Sequence, residues 1–129
     1  MAKRNTSNNE FVLNIDVAPT IISAAGEPIP SAIQGSDFST LYLAEKAPAW
    51  RQDFYYEHPT IFKSSFIPSS EALVTHTQKY IIWPEFQYEE YFNLKKDPYE
   101  EHNKISSKKD KKIIQSMKKR FAKLKEEAK

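Results

Sequence analysis

The sequence predicts an α+β fold: a small antiparallel β-sheet of three to four strands, packed by a C-terminal amphipathic helix and preceded by a short helix. Between residues 53 and 94, short runs rich in aromatic and β-branched residues alternate with turn residues, which is typical of a β-meander. Beyond residue 108, apolar residues recur at helical spacing. The chain has 129 residues, 40% of them hydrophobic, and this is enough for a packed core.

The first ordered element is predicted over residues 11–25, after a polar and disordered stretch at 1–10. We expect Asn14 or Asp16 to cap a helix here. Pro19 suits the first turn, because a proline in that position has no backbone N–H bond to lose. The helix is short and apolar on more than one side, so it requires covering from several directions.

Four runs are predicted as strands. Pro59 ends the first run, and a connection at residues 76–78 joins the second run to the third. A turn at Asp97-Pro98 follows the last run. The predicted strands are residues 53–58, 72–75, 79–83 and 88–94.

The last predicted element is a helix over residues 109–127, and Ser107 with Asp110 fits a capping box at its start. Lysines occupy much of the surface outside its apolar stripe, and we expect the stripe to pack on one face of the sheet. The stripe is formed by Ile113, Ile114, Met117, Phe121 and Leu124.

The composition excludes several chemistries. The chain has no cysteine, which removes disulfides, thiolate metal ligands and a cysteine nucleophile. It has two glycines and no GxGxxG or GxxxxGK[ST] pattern, so no phosphate-binding loop is predicted. No apolar run approaches the ~20 residues that span a bilayer. Residues 1–10 lack the apolar segment of a secretory signal. The sequence as it stands therefore predicts neither membrane insertion nor export.

Charge is distributed unevenly along the chain. Residues 104–129 carry eleven basic and three acidic side chains, whereas residues 1–103 carry eight basic and fourteen acidic ones. A basic tail on an acidic body can bind a polyanion, although a solvated helix face is the commoner explanation. No nucleic-acid-binding module is visible, so we expect no nucleic-acid partner.

Five blocks of sequence, in order, resemble the C-terminal region of the sulfatase family, of the arylsulfatase or glycosaminoglycan-sulfatase kind. The last block, residues 94–103, matches the pattern L-x-x-D-P-x-E-x-x-N, and the first is similar to D-[IV]-A-P-T-[LI]-[LI]. One departure is Val74, which stands where the family pattern V-R-T has its arginine. The five blocks are residues 14–22, 34–38, 50–57, 71–81 and 94–103.

The resemblance implies a division of the chain and a missing reaction centre. Residues 11–48 are similar to the end of the large sulfatase domain, and residues 49–129 to the C-terminal subdomain. Sulfatases use a formylglycine made from the Cys or Ser of [CS]-x-P-x-R, together with calcium, and this sequence has no such motif. We therefore expect this chain to hold no cofactor and no metal. We also expect it to be a fragment, a split gene product or a remnant. Full-length relatives are usually exported.

The resemblance also places Glu57 and His58 near the substrate cleft, and these are the predicted substrate-binding residues. His76 is expected to be an exposed turn residue, and His102, beside Glu100 and Glu101, to belong to a turn rather than a metal site. Asp97 is expected to cap the turn after Leu94. Six aromatic residues are candidates for carbohydrate stacking, although strand aromatics more often pack in a core. These are Trp50, Tyr55, Tyr56, Trp83, Phe86 and Tyr88.

Three functional hypotheses follow. In the first, the chain completes the substrate cleft of a sulfatase whose catalytic domain is its partner, positions sulfated carbohydrate and is inactive alone. In the second, it is a non-catalytic module that binds sulfated polysaccharide through the aromatics and the basic helix, with Lys118, Lys119 and Lys123. In the third, it is a non-functional remnant that is unstable or self-associates through an exposed apolar helix.

Overall fold

A computed structural model describes residues 7–44, 48–60, 63 and 67–128. The chain forms two compact units, Met1–Gln52 and Asp53–Lys129. Much of the predicted disordered stretch at 1–10 lies outside the described residues. Among the helices of the described ranges, none combines the length and the apolar character needed to cross a membrane.

In the first unit, a 3₁₀ turn at Asn14–Asp16 leads into helix α1, Val17–Ala24, and a one-turn helix α2 follows at Thr40–Leu43. The predicted helix is present, and of the two predicted caps Asp16 accepts the Leu13 amide at the start of the 3₁₀ turn at 2.7 Å but does not cap α1 itself. Asp16 makes no side-chain hydrogen bond to the start of α1, because its own backbone is already helical, with φ −82° and ψ −15°. A capping side chain requires an extended backbone at that residue. The carboxylate of Asp16 turns instead towards residues outside the helix.

Gly35 lets the loop that follows α1 pass against the backbone of the 3₁₀ turn. A Cβ atom added to Gly35 would stand 1.9 Å from the carbonyl oxygen of Ile15 and 3.0 Å from the amide nitrogen of Asp16. Both obstacles are backbone atoms, which cannot rotate away as a side chain can. The loop can therefore approach Asp16 only with glycine at position 35.

We expect Gly35→Ala to lower the free energy of unfolding by about 2–3 kcal/mol, because the added methyl group overpacks the loop. Gly26→Ala is the matched control: its backbone has φ +78°, but nothing lies within 4 Å of the added Cβ. Only the cost of the left-handed conformation remains there, about 1 kcal/mol. Chemical denaturation of both variants measures the difference. Equal losses at the two positions would contradict the steric explanation.

The second unit contains the predicted antiparallel meander, with four strands in the order β1-β2-β3-β4 and one helix across one face. Tyr55 of β1, Leu73 of β2, Tyr80 of β3 and Tyr91 of β4 lie side by side in register. This confirms the predicted fold class. The elements are β1 Asp53–His58, β2 Ser70–Thr75, β3 Gln78–Trp83, β4 Tyr88–Asn93 and α3 Lys111–Glu127.

Helix α3 begins two residues later than predicted. Ser107 and Asp110 do pair, since the Ser107 hydroxyl donates to the Asp110 carboxylate at 2.6 Å and accepts the Asp110 amide at 3.2 Å. These bonds close the turn that precedes the helix. Asp110 itself occupies the capping position and makes no side-chain bond to the helix. The predicted pair of Ser107 and Asp110 therefore closes the turn before the helix and does not cap the helix itself.

The face of the sheet that α3 covers, here called the helix face, forms the larger core. Leu73, Tyr80 and Tyr91 pack under three residues of the predicted stripe, Ile114, Met117 and Phe121, and Leu124 is partly buried beside them. Ile113 does not belong to this stripe: it is 38% exposed. Successive helix residues point about 100° apart, which turns Ile113 away from the sheet.

Three ion pairs surround this apolar contact. Lys118 pairs with Glu89, Arg120 with Asp53 at 2.6 Å, and Lys125 with Glu71 at 2.6 Å. The buried Tyr80 and the partly buried Tyr55 bind the same carboxylates, since the Tyr80 hydroxyl donates to Glu89 at 2.7 Å and the Tyr55 hydroxyl to Glu71 at 2.9 Å. Burial and its bond to Glu89 raise the pKa of Tyr80. Three of the seven basic side chains of α3 are thus directed at the sheet.

The opposite side of the sheet carries a second apolar cluster and is here called the second face. Its buried centre is Ala72, Ile81 and Phe92. Side chains alternate between the two faces along each strand, so this cluster comes from the strand positions between those of the larger core. The second face consists of Phe54, Tyr56, Ala72, Val74, Ile81, Trp83 and Phe92.

Candidate functional site

The two predicted substrate-binding residues end strand β1, at one edge of the sheet. In register, Glu57 lies opposite Glu71, and His58 opposite Ser70. Glu57 is exposed and His58 is partly buried. Because neighbouring strand residues point to opposite faces, Glu57 lies on the side of the helix face and His58 on the side of the second face. The structure does not bring the two side chains to one surface, and their role in substrate binding stays a prediction.

Glu85, which sequence reasoning missed, holds the chain that leaves β1. Its carboxylate accepts the Thr60 hydroxyl at 2.6 Å, the Ser69 hydroxyl at 2.7 Å and the Ser69 amide at 3.1 Å. The bonds from Thr60 and Ser69 lower the pKa of Glu85 to about 2. Glu85 therefore binds both Thr60, two residues after His58, and Ser69, the residue before β2.

The other two histidines lie at turns. His76 is exposed in the β2–β3 connection, as predicted. His102 is exposed and groups with Asp97 and Glu101, whose candidate ligand atoms lie within 4.8 Å of one another. Both Asp97 oxygens already accept backbone amides, from Glu101 at 3.0 Å and from His102 at 2.9 Å, and these bonds lower the pKa of Asp97. Capping of the local backbone accounts for this group of side chains.

The direction of the Asp97 cap differs from the prediction. The turn after Leu94 is closed by Asn93, whose carbonyl oxygen accepts the Asp97 amide at 2.9 Å and whose side-chain oxygen accepts the Lys96 amide at 3.2 Å. Asp97 caps the residues that come after it. Asn93 precedes this turn, so its oxygens face the amides of Lys96 and Asp97. Asp97 ends this turn and begins the next one, so its carboxylate faces the amides of Glu101 and His102.

Asn103, the last residue of the L-x-x-D-P-x-E-x-x-N block, closes the outer edge of β4. Its side-chain oxygen accepts the Tyr91 amide at 3.1 Å, and its side-chain nitrogen donates to the Glu89 carbonyl at 3.1 Å. The Lys104 amide then donates to the Tyr91 carbonyl at 2.8 Å. One asparagine side chain followed by one backbone amide thus imitates a neighbouring strand.

We expect Asn103→Ala to lower the free energy of unfolding by about 2 kcal/mol, because partly buried backbone groups on β4 lose their partners. The Tyr91 amide should also exchange faster with solvent. Asn93→Ala is the control, since its side chain makes one exposed bond to Lys96. Hydrogen exchange and denaturation of both variants test this. Unchanged protection of Tyr91 in Asn103→Ala would contradict the assigned role.

The predicted aromatic surface is divided by the fold. Trp50 lies in the first unit and donates to the Phe11 carbonyl at 2.7 Å, and Tyr55 packs under α3 against Phe121. Tyr56 and Trp83 share the second face, and Trp83 also lines a shallow cavity of about 520 Å³ with Phe86, Tyr88 and Glu90. Within the second unit, Tyr55 thus lies on the helix face and does not share the second face with Tyr56 and Trp83.

In the first unit, Asp16 and Arg51 form a bidentate ion pair with both bonds at 2.7 Å. Asp16 is fully buried and also accepts the Leu13 amide at 2.7 Å and the Ser36 amide at 2.8 Å. Burial raises the pKa of Asp16, but the bonds from Arg51, Leu13 and Ser36 outweigh it and hold the pKa below its usual value. The pair joins the first and third blocks of the resemblance.

Comparison with known proteins gives the same family. The family described as N-sulphoglucosamine sulphohydrolase, C-terminal, matches residues 1–127. The chain is 31% identical over 104 residues to an arylsulfatase of Clostridium perfringens, covering 81% of this chain and 20% of that protein. It is 28% identical over 120 residues to an N-acetylglucosamine-6-O-sulfatase of Bacteroides thetaiotaomicron, covering 88% and 22%. The chain therefore spans about a fifth of the length of these relatives.

Solved structures agree. A protein bound to its substrate D-glucosamine-2-N,6-O-disulfate has a TM-score of 0.79 and 25% identity, covering 86% of this chain and 23% of that one. A 2-O glycosaminoglycan sulfatase has a TM-score of 0.73 at 22% identity, covering 84% and 23%, which supports the fold. The described sheet and helix are those of this domain, and the chain belongs to the family of C-terminal sulfatase domains named after N-sulphoglucosamine sulphohydrolase.

Proposed function

We propose that this chain forms a wall of a sulfatase substrate cleft and that another stretch of protein supplies the reaction centre. The observation that carries the proposal is the family match over residues 1–127 to a C-terminal domain, in a chain that spans about a fifth of its sulfatase relatives. The sequence is consistent with this role, because it has no cysteine and no Ser-x-Pro-x-Arg motif that could yield a formylglycine. Calcium and formylglycine belong to the catalytic portion.

The proposed contribution to catalysis is positioning. A group that fixes a sugar against a reaction centre lowers the entropic part of the barrier without reacting itself. His58 is the better candidate of the two predicted contacts, because it is partly buried at the end of β1 and lies two residues before Thr60, whose hydroxyl donates to Glu85. The substrate class we propose is a sulfated glucosamine, since two of the similar proteins are named for acting on or binding glucosamine derivatives.

The purified chain should hydrolyse neither an aryl sulfate nor glucosamine-6-sulfate. Turnover by the chain alone would overturn the assignment of the reaction centre to another stretch of protein. The positive test combines the chain with the C. perfringens arylsulfatase polypeptide from which the matching region has been removed. Restored activity is expected, and His58→Ala should raise KM more than it lowers kcat. His76→Ala, at the opposite end of the sheet, is the control and should leave both unchanged.

The alternative, a module that binds sulfated polysaccharide through the basic helix and the aromatics, has less support from the geometry. The helix covers one face of the sheet, whereas Tyr56 and Trp83 lie on the other. Two of the three lysines named for this role also have acidic partners, since Lys118 pairs with Glu89 and Lys123 lies 3.6 Å from Glu127. Heparin chromatography in rising salt tests it. Salt-sensitive retention that Lys119→Gln weakens would favour the alternative.

A further inference from the structure

The loop that joins β3 to β4, residues 84–87, places aromatic residues at the surface of the second unit. Trp83 and Tyr88 lie opposite each other at the end of the β3–β4 pair, and the loop between them includes Phe86. Phe86 is 58% exposed and Tyr88 is 49% exposed. With Glu90, these three aromatics line a shallow cavity of about 520 Å³, here called the hairpin cavity. Large apolar side chains gathered at a surface are typical of a binding site.

The polar groups of the hairpin cavity are suited to a sugar. Glu90 Oε2 accepts the Trp83 indole N–H at 2.8 Å, and that bond leaves Oε1 available to a further donor. The Tyr88 hydroxyl accepts the Asn103 side-chain nitrogen at 3.0 Å, which leaves its own proton available to a ligand. A sugar ring has C–H groups on its faces and hydroxyls at its rim. Aromatic rings contact the faces, and an acceptor with a donor binds the rim.

The charge of the hairpin cavity disfavours sulfate. Glu90 accepts a neutral indole, and Glu85 of the same loop accepts neutral groups of Thr60 and Ser69, so these bonds offset neither negative charge. The described residues that line the cavity include one carboxylate and no cation. Repulsion from the two carboxylates therefore disfavours a sulfated ring and permits an unsulfated one.

The hairpin cavity lies at the same end of the sheet as His58, the predicted substrate contact. His58 pairs with Ser70 and Trp83 with Tyr88, and the β2–β3 register brings the two pairs into one row. All four residues lie on the second face, because side chains alternate along each strand. Adjacent strands are about 4.8 Å apart, so His58 and Tyr88 are separated by about 14 Å. An oligosaccharide can span this row, whereas a single sugar cannot.

We propose that the hairpin cavity is a second sugar subsite, in which the aromatic rings stack on an unsulfated N-acetylhexosamine linked to the sulfated unit near His58. This inference rests on the proposed function and names a further part of the same substrate. The acetyl methyl group adds apolar contact with the rings. Glu90 accepts hydroxyl protons of the unsulfated sugar and excludes sulfate from it. The chain therefore recognises a sulfated unit together with its unsulfated neighbour.

The direct test is calorimetric titration of the full chain with a trimer of N-acetylglucosamine. Phe86→Ala should weaken binding about tenfold, as expected for loss of one aromatic contact in a binding site. Tyr99→Ala is the matched control, since it removes an aromatic side chain that is 85% exposed and lies outside the cavity. It should bind like the unmodified chain. Both variants change exposed side chains, so both should keep the melting temperature of the unmodified chain.

The exclusion of sulfate has a test of its own. A trimer sulfated on one terminal unit should bind the unmodified chain more tightly than a trimer sulfated on all three units. Glu90→Gln keeps an acceptor for the Trp83 indole but removes the charge, so it should narrow this preference. Tighter binding of the fully sulfated trimer by the unmodified chain would overturn the inference, as would an unaltered preference in Glu90→Gln.

Binding and hydrolysis distinguish the subsite from the proposed function. Absence of trimer binding, or equal affinity of Phe86→Ala and the unmodified chain, overturns the subsite and leaves the proposed function to the test with the catalytic portion. Binding that depends on Phe86, in a chain that restores no hydrolysis, supports the subsite and counts against the proposed function. Where hydrolysis is restored, Phe86→Ala should raise KM for the singly sulfated trimer but not for glucosamine-6-sulfate. An equal rise for both substrates would overturn the subsite.

Discussion

Replacing Phe121 with alanine should cost the second unit about 4 kcal/mol of its free energy of unfolding. Phe121 is 6% exposed and stands edge-on to two rings, Tyr55 at 5.6 Å and Tyr80 at 5.5 Å. Its removal leaves a cavity between helix and sheet and forfeits both aromatic contacts, worth about 0.5–1.5 kcal/mol each. Denaturant titration followed by circular dichroism measures the loss.

Ile113→Ala is the control for the Phe121 variant. It shortens an apolar side chain on the same helix, but at a position that is 38% exposed, so we expect a loss below about 1 kcal/mol. A loss at Ile113 comparable to that at Phe121 would mean that the helix packs in a different rotation from the one described here.

Asp16→Ala should produce the second large effect, a loss of about 3–5 kcal/mol confined to the first unit, because it strands the partly buried guanidinium of Arg51. The amides of Leu13 and Ser36 lose their acceptor at the same time. Since the chain has two compact units, the readout must report on one of them. The sequence has two tryptophans, so Trp83→Phe leaves Trp50 as a fluorescent reporter within the first unit.

In this Trp83→Phe background, the cycle of Asp16→Ala, Arg51→Met and the double variant isolates the coupling of the pair. Removing both partners should cost less than the sum of the single losses, because neither charge is then left buried alone. Additive losses would show that the pair is not coupled and that the backbone amides carry the effect.

Acid should reproduce part of the Asp16 effect. The folded pKa of Asp16 lies below its usual value of 3.8. The unfolded chain therefore binds a proton before the folded chain does, so the contribution of Asp16 is present above pH 3.8 and is lost as pH falls towards the folded pKa. Asp16→Ala should flatten this acid dependence, and an unaltered pH profile in the variant would count against it.

The parts of the fold that follow from local periodicity were predictable. Alternation between Tyr80 and Ile81 marks a strand with two apolar faces, and the spacing of Ile114, Met117 and Phe121 marks one side of a helix. The pairing of Asp16 with Arg51 was not predictable, because the two residues are 35 positions apart and no periodic pattern links them. Local propensity suggested a helix cap for Asp16, and tertiary contact overrode it.

The same division between predictable and unpredictable features applies to the candidate site. The family pattern named Asn103 but not its task, which depends on where the chain folds back beside β4. Glu85 gave no signal at all, since its partners Thr60 and Ser69 come from a loop without periodicity. The opposite orientations of Glu57 and His58, by contrast, follow from the two-residue period of a strand and could have been stated from the sequence.

The Asn103 side chain, which lies along β4, also limits how copies of this chain can associate. Fibres built from sheets grow by adding a strand at each end, and growth at an end requires exposed backbone amides and carbonyls there. At the β4 end, the Asn103 side chain already binds the Tyr91 amide and the Glu89 carbonyl, and the Lys104 amide binds the Tyr91 carbonyl. Strand addition at the β4 end is therefore blocked, so we expect misassembled molecules not to grow into filaments from that end.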